Sequence, residues 1–342
     1  MLFLRISRFV RFFSVLLILT LFSGLMPAAA AGEPSVLDAA EIDAILAGFE
    51  SERDLSEEHF GFAYYYTGTG ESYFRNGDFS TYAASLYKVP LCMRLSEMVK
   101  NGELAFTDRL GGYTVEQIEH MALSYSSNPH ARAAFSGMGN SRSERWAALN
   151  SYSGIPIEEL PKRYTQGFFT PRFMLNTLLT LYEEPERFPG VLDYMQQANP
   201  EHYFRRTLEG RYTVAQKYGN VCSSANYMHA AGIIYTPAPF LLVVMTCNVS
   251  KSYNLLGELA DRFAEYTLTL DERLAALPSP TPEPTPEPAF TPEPTPEPVP
   301  APVPEDAEAV RGSPQRSVLV WCGAAGGAVL IAAALLLRKK QE

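Results

Sequence analysis

The spacing of apolar and polar residues predicts helices in the first, middle and last parts of a central stretch of the chain. In these segments apolar side chains recur every three to four positions, which places them on one face of a helix. Glycine and proline separate the segments and favour breaks between the helices. The predicted helices are Leu37–Glu50, Leu86–Lys100, Val115–Leu123, Asn128–Phe135, Ser143–Ser151, Pro171–Tyr182 and Leu255–Leu274.

Short segments rich in β-branched and aromatic residues predict strands on both sides of the helical block. The predicted strands are Phe60–Tyr66, Glu71–Phe74, Thr213–Tyr218, Met228–Tyr235 and Phe240–Asn248. Turn chemistry at Thr67–Gly70 and Thr236–Pro239 indicates hairpins. A sheet divided by a helical insertion has a cleft between two subdomains, and such clefts commonly hold ligands.

The first 31 residues have the order of features that is typical of a secretory signal peptide. Arg5, Arg8 and Arg11 precede an apolar run from Phe12 to Leu25, and small residues follow up to Ala31. This order predicts export, with cleavage near Ala30 or Ala31. An uncleaved N-terminal anchor is the alternative.

The C-terminal part of the chain predicts a stalk and a membrane anchor. Residues 277–312 are rich in Thr-Pro-Glu-Pro repeats, which form neither a core nor a helix, because proline lacks the amide donor. An apolar run over 317–337 is long enough to cross a bilayer. The basic tail 338–342 is expected in the cytoplasm by the positive-inside rule. We therefore expect a single-pass protein of the cell membrane, with a globular domain at 33–276 outside the cell.

Composition excludes several classes of partner. The net charge is −10 and the domain shows no basic patch, so nucleic acid is not expected. The cysteines lack metal-type spacing, so we expect no metal or organic cofactor. Cys92 is expected as a buried thiol, and Cys222 and Cys247 either pair or stay free. We expect a monomer.

Ser85 and Lys88 form the strongest local motif for chemistry. They are three residues apart, which places them on the same face of a helix. A hydroxyl needs a base to become a nucleophile, and a lysine serves as that base when burial lowers its pKa. Alone, the same pattern also describes a helix cap followed by a surface lysine.

Two further motifs follow in order. Ser126-Ser127-Asn128 lies near a predicted helix start, and Lys217-Tyr218-Gly219 lies on a predicted strand. Ser-x-x-Lys, Ser-x-Asn and Lys-x-Gly in this order resemble the penicillin-recognising serine enzymes. The domain is most similar to the class A β-lactamases, and flanking segments share the resemblance, among them Tyr66–Gly70, Tyr113–Val115 and Thr170-Pro171-Arg172.

The resemblance implies a fold and a role for each motif residue. The implied fold is α+β, with an antiparallel sheet flanked by helices and an all-helical subdomain inserted after the second strand. Ser85 would be acylated, Lys88 would take or relay its proton, Ser126 would pass a proton to the leaving nitrogen, and Lys217 would supply positive charge. Asn128, Tyr218, Gly219 and Asn220 would bind the substrate, with the backbone amides of Ser85 and Asn220 as the oxyanion hole.

The chain departs from the family pattern at several positions. In the family, a glutamate in the loop before the Thr-Pro-Arg segment activates the deacylating water, and an asparagine follows it. Here the loop before Thr170 lacks this pattern, and only Glu158 and Glu159 are available. These two glutamates either act as the base or form the solvated first turn of a helix. Gln166 is a third candidate for holding a water. Ser127 stands in place of an aspartate and Tyr218 in place of a threonine or serine.

Other polar residues are predicted to have structural places. His130 is either a cleft residue or a structural histidine of its helix. His229 is expected on the surface of a strand, and Arg205 and Arg206 are expected on the protein surface.

Three functions are compatible with these motifs. The first is a membrane-anchored β-lactamase-like serine hydrolase that forms and hydrolyses an acyl-enzyme with a β-lactam or related amide. The second is a D-alanyl-D-alanine carboxypeptidase or transpeptidase that acts on peptidoglycan peptides, which the missing glutamate and the stalk favour. The third is a non-catalytic sensor or wall-binding domain.

Overall fold

A five-stranded antiparallel sheet forms the centre of the computed structural model, which describes residues 35–138, 141–222, 225–249 and 254–277. Its strands are β1 (Phe60–Tyr66), β2 (Glu71–Arg75), β7 (Thr213–Val221), β8 (Tyr227–Tyr235) and β9 (Phe240–Thr246). They pair in the order β2-β1-β9-β8-β7. The last strand in the chain, β9, pairs antiparallel with the first, β1. This order confirms the predicted fold class.

Alternation along the strands explains why both faces of the sheet are apolar. On β9, Phe240, Leu242 and Val244 belong to one core cluster, and Leu241, Val243 and Met245 to the other. Successive side chains point to opposite faces of a strand. The run Phe240–Thr246 is therefore buried throughout, as expected of a strand covered on both sides.

Helices cover the two faces of the sheet. The first and last helices, α1 (Ala39–Arg53) and α9 (Leu255–Ala276), contribute to one core. The helical block contributes to the other core. Its helices are α2 (Lys88–Lys100), α3 (Val115–Leu123), α4 (Asn128–Gly137), α5 (Arg142–Asn150) and α6 (Pro171–Glu183). This block follows β2 in the chain, as predicted.

Side-chain caps fix the first residues of α3 and α6, whose starts were predicted correctly from the sequence. Thr114 and Gln117 form a capping box at the start of α3, and the Thr170 hydroxyl accepts a hydrogen bond from Phe173 N–H at the start of α6. Such caps satisfy amide donors that lack a partner within the helix.

Several short elements were not predicted from the sequence. They are helices α7 (Val191–Gln196) and α8 (Tyr203–Leu208), and strands β3 (Thr81–Tyr82), β4 (Arg109–Leu110), β5 (Tyr113–Thr114) and β6 (Phe168–Phe169). β3 pairs with β6, and β4 with β5. Elements of two to six residues are too short to show a hydrophobic period.

The prediction for His229 was wrong, because this side chain is fully buried. Its Nδ1 accepts a hydrogen bond from Thr246 N–H, and its Nε2–H donates to Tyr82 O at 2.8 Å. Burial lowers the pKa of His229 to about 4, so the ring is neutral. The sheet is covered at this point by β3, and the histidine joins the two.

The three cysteines among the described residues, Cys92, Cys222 and Cys247, are free thiols, and Cys92 is buried as predicted. Arg205 was expected on the surface, but its side chain is partly buried. It forms an ion pair with Glu209 and donates a hydrogen bond to the carbonyl of Gln196.

The chain divides into two units, Met1–Pro280 and Thr281–Glu342, and all described residues lie in the first. The signal peptide, nearly all of the stalk, the anchor and the tail lie outside the described residues and remain predictions. Within the described part of the chain, no helix has both the length and the apolarity that a bilayer crossing requires.

Candidate active site

Ser85 lies in a 3-10 turn, Ala84–Tyr87, which leads directly into α2. We call it the nucleophile turn, after the predicted role of Ser85. The turn is fixed on two sides. Ala83 N–H donates to Gly167 O at 2.8 Å, and Gly219 of β7 packs against the backbone of Ser85. A Cβ at position 219 would lie 2.7 Å from Ser85 N. A glycine is therefore needed where the strand approaches Ser85.

Lys88, one turn after Ser85, is completely buried. Its Nζ lies 3.0 Å from Ser85 Oγ, 2.8 Å from Asn128 Oδ1 and 2.5 Å from Ser126 O. Burial is the main cause that lowers the pKa of Lys88, to about 8. An amine with this pKa is neutral often enough near neutral pH to accept a proton.

Ser126 lies between the two lysines. It is the residue at a positive φ of 57° in the loop between α3 and α4. Its Oγ lies 3.0 Å from Lys217 Nζ and 3.3 Å from Lys88 Nζ. Two amines from different elements therefore share one hydroxyl, which makes a path for protons between them.

Lys217 is a fully buried residue of β7. Its Nζ also donates to Tyr218 O at 2.7 Å. Burial, and to a smaller extent the positive charge of Lys88, lowers the pKa of Lys217 well below its usual value. This shift favours the neutral amine, which would be able to accept a proton from Ser126; the predicted role of Lys217 as a positive charge stays a prediction.

The remaining members of the predicted substrate set continue along β7. Tyr218 is half-buried and stacks on Tyr203, with ring centroids 4.9 Å apart and an angle of 10° between the planes. Gly219 adjoins the nucleophile turn, and the Asn220 side chain is exposed. The strand thus runs from the buried amine past Ser85 to solvent.

Ser127 and His130 contact each other rather than the lysines. Ser127 Oγ lies 2.7 Å from His130 Nδ1, and the His130 ring packs on Tyr113 with centroids 4.0 Å apart. These contacts agree with the structural interpretation of His130. They hold the start of α4, where Asn128 lies.

A cavity of about 280 Å³ adjoins the nucleophile turn on the side of Ala84 and Gly167. Ten described residues line it, among them Arg132, Arg142 and Gln166, and none of the ten is acidic. Sequence reasoning missed Arg132. The available signal was its spacing, because Arg132 is four residues after Asn128 and therefore on the same helix face.

The glutamates considered as a deacylation base lie elsewhere. Glu158 and Glu159 are exposed residues of the 3-10 turn Ile157–Glu159. Glu158 lines a separate cavity of about 410 Å³ together with Lys162. Gln166 does line the cavity beside the turn, and its Oε1 accepts a hydrogen bond from Arg163 at 3.1 Å.

Burial favours the neutral forms of two acidic side chains close to the site. Burial raises the pKa of Cys92 and of Glu119 well above their usual values. Among the described residues, neither carboxylate oxygen of Glu119 has a hydrogen-bond partner. Cys92 is close enough to both lysines to raise their pKa values slightly, but burial outweighs this effect at each of them.

Residues 39–267 match the model of a beta-lactamase enzyme family. The chain belongs to this family. The resemblance of the three motifs to penicillin-recognising serine enzymes is thereby confirmed. No curated protein gives a significant match.

Solved beta-lactamase structures share the fold of this family member at low sequence identity. An ancestral class A beta-lactamase (GNCA) is 19% identical with a TM-score of 0.55, over 65% of this chain and 98% of its own. A beta-lactamase from Sphaerobacter thermophilus is 20% identical with a TM-score of 0.54, over 68% and 98%. One from Xanthomonas campestris is 17% identical with a TM-score of 0.55, over 66% and 97%.

Proposed function

We propose that the protein is a serine acyl-hydrolase that attacks the carbonyl carbon of a β-lactam or a related amide through Ser85 Oγ. The observation that carries this proposal is the contact of Ser85 Oγ with Lys88 Nζ at 3.0 Å. Lys88 is buried, and its lowered pKa makes the amine a base. In the attack, the Ser85 proton passes to Lys88 as the Oγ–carbon bond forms.

The collapse of the tetrahedral intermediate needs a proton on the leaving nitrogen. Ser126 Oγ is in contact with both amines, so it can give its proton to the nitrogen and regain one from Lys88 or Lys217. The C–N bond then breaks and the acyl group stays on Ser85. The backbone amides of Ser85 and Asn220 are the proposed donors to the oxyanion.

Asn128 is proposed to hold the amide of the substrate. Its Oδ1 accepts a hydrogen bond from Lys88, which orients the side chain and leaves Nδ2 as a donor. The Nδ2 has no hydrogen-bond partner among the described residues. A substrate carbonyl next to the scissile bond is the acceptor that fits.

A D-alanyl peptidase or transpeptidase of the bacterial wall is the second candidate. The cavity beside the nucleophile turn has no acidic residue among its described lining, so no carboxylate is in place to activate a deacylating water. Slow hydrolysis of a β-lactam acyl-enzyme is typical of enzymes whose own substrate is a peptide. The proposed location, anchored with the domain outside the cell, places it near that substrate.

Intact-protein mass spectrometry with a penicillin and a chromogenic cephalosporin tests the proposal. We expect a single adduct on Ser85 that is absent in Ser85→Ala. Rapid turnover supports the β-lactamase, and a stable adduct with release of D-alanine from a pentapeptide supports the peptidase. A stable adduct without either activity indicates a sensor. No adduct, or unchanged reaction in Ser85→Ala, would refute the mechanism.

A further inference from the structure

Two arginines make the cavity beside the nucleophile turn cationic. Arg132 comes from α4 and Arg142 from α5, and both line it together with Ala84, the residue before Ser85. The positive charge of Arg132 is close enough to contribute to the lowered pKa of Lys88. The cavity and the catalytic lysine therefore lie in the same electrostatic environment.

The structure leaves the positive charge of this cavity uncompensated. Among the described residues, Arg132 forms no side-chain hydrogen bond or ion pair. Arg142 donates to the carbonyl oxygen of Thr165, at 3.2 Å from Nη2, and not to a carboxylate. Both side chains are exposed, so they can adjust to an incoming group.

One residue of the lining, Trp146, has a buried donor atom. Trp146 is only 6% exposed, and its buried Nε1–H has no hydrogen-bond partner among the described residues. A buried indole N–H usually finds an acceptor. Tyr82, Tyr87 and Phe135 supply the other large walls. The lining thus combines apolar surface with two arginine cations.

We infer that this cavity binds a carboxylate at the end of a short apolar stem in the acyl part of the substrate. This inference rests on the proposed function, because it concerns the group that Ser85 would acylate. An arginine guanidinium binds carboxylates with two parallel hydrogen bonds, and the aromatic walls fit the methylene groups that lead to it. The substrate class is thereby narrowed to acyl donors with an acidic side chain.

Matched penicillins provide the test. Two penicillins carry a glutaryl or an adipyl side chain with a free terminal carboxylate. Each is compared with a counterpart of the same length that ends in a carboxamide, which has the same shape without the charge. Acylation rate constants are measured by intact-protein mass spectrometry. The ratio of the two rates on one variant cancels any change in the reactivity of Ser85.

The expected ratio is at least about tenfold in favour of the carboxylate, which is the contribution of one charge-assisted hydrogen bond. Arg132→Gln and Arg142→Gln should bring the ratio close to one. Lys162→Gln is the matched control, because it removes the same charge from the adjoining loop but lines the other cavity. It should keep the ratio.

Three results would overturn the inference. The first is a rate ratio near one for both side-chain lengths in the wild type. The second is a ratio that neither arginine substitution changes. The third is a fall of the ratio in Lys162→Gln as large as that in the arginine variants. Labelling by the carboxamide probes in these cases leaves the proposed function intact. If no probe labels the protein, the proposed function is refuted, and the inference falls with it.

Discussion

The rate at which Ser85 is acylated should rise with pH through about 8. Lys88 Nζ is the group in contact with Ser85 Oγ, and burial lowers its pKa to about 8. Only the neutral amine accepts the proton, and this form is lost as the pH falls through the pKa. The perturbation is therefore a change of pH alone, with the protein otherwise unaltered.

The magnitude follows from the titration of one amine. With a pKa of about 8, the neutral fraction rises from about one in eleven at pH 7 to about ten in eleven at pH 9, so the rate should rise about tenfold. Because Lys217 is close and also titrates low, the measured midpoint belongs to the pair.

The assay is the second-order rate constant for acylation by a penicillin with an uncharged side chain, at constant ionic strength and low probe concentration. Arg132→Gln is an internal check, since Arg132 lowers the pKa of Lys88 and its removal should move the midpoint to higher pH. A profile that is flat or falls between pH 7 and 9, with the protein still folded, would refute Lys88 as the base.

Three further substitutions test the surroundings of the site. Gly219→Ala places a methyl group 2.7 Å from Ser85 N, so acylation should slow by about 100-fold; a folded variant with the wild-type rate would contradict this. The wild type should lose stability as the pH rises above the usual carboxyl pKa, because the raised folded-state pKa of Glu119 favours the fold at low pH. Glu119→Gln should not show this loss. Urea unfolding at pH 5 and 6 measures it, and a constant difference from the wild type would count against it. The wild type should lose about 3 kcal/mol of stability as the pH falls from 6.5 to 4, because the folded-state pKa of His229 is about 4. His229→Gln should not show this loss. Parallel pH profiles of urea stability for the two proteins would exclude it.

The sequence predicted the long elements because their signals are local. The run from Val115 to Leu123 was predicted with the bounds that the structure gives, and its capping residues are adjacent in the sequence. Helix α8, by contrast, is six residues long and is held by Gln216, whose Oε1 accepts from Phe204 N–H. A contact between distant residues of this kind leaves no periodic pattern.

The motif residues of the candidate site were predictable for a similar reason. The three short motifs predicted one shared pocket. Hydrogen-bond contacts join Ser85 to Lys88, Lys88 to Ser126, and Ser126 to Lys217. The cavity with Arg132 was not predicted, because it depends on the path of the loop from α5 to β6. The burial of Lys217, which lowers its pKa, likewise depends on how the sheet packs.

Two residues of the candidate site adopt a backbone conformation that L-amino acids avoid. Ala84 has a φ of 49° and Ser126 a φ of 57°, and each costs about 1–2 kcal/mol relative to the right-handed region. The surrounding packing holds both in place. Selection for heat resistance alone should therefore accept replacements at these positions. If the proposed function holds, such selection would lower the activity while the fold is kept, and a thermostable descendant would label more slowly with a penicillin.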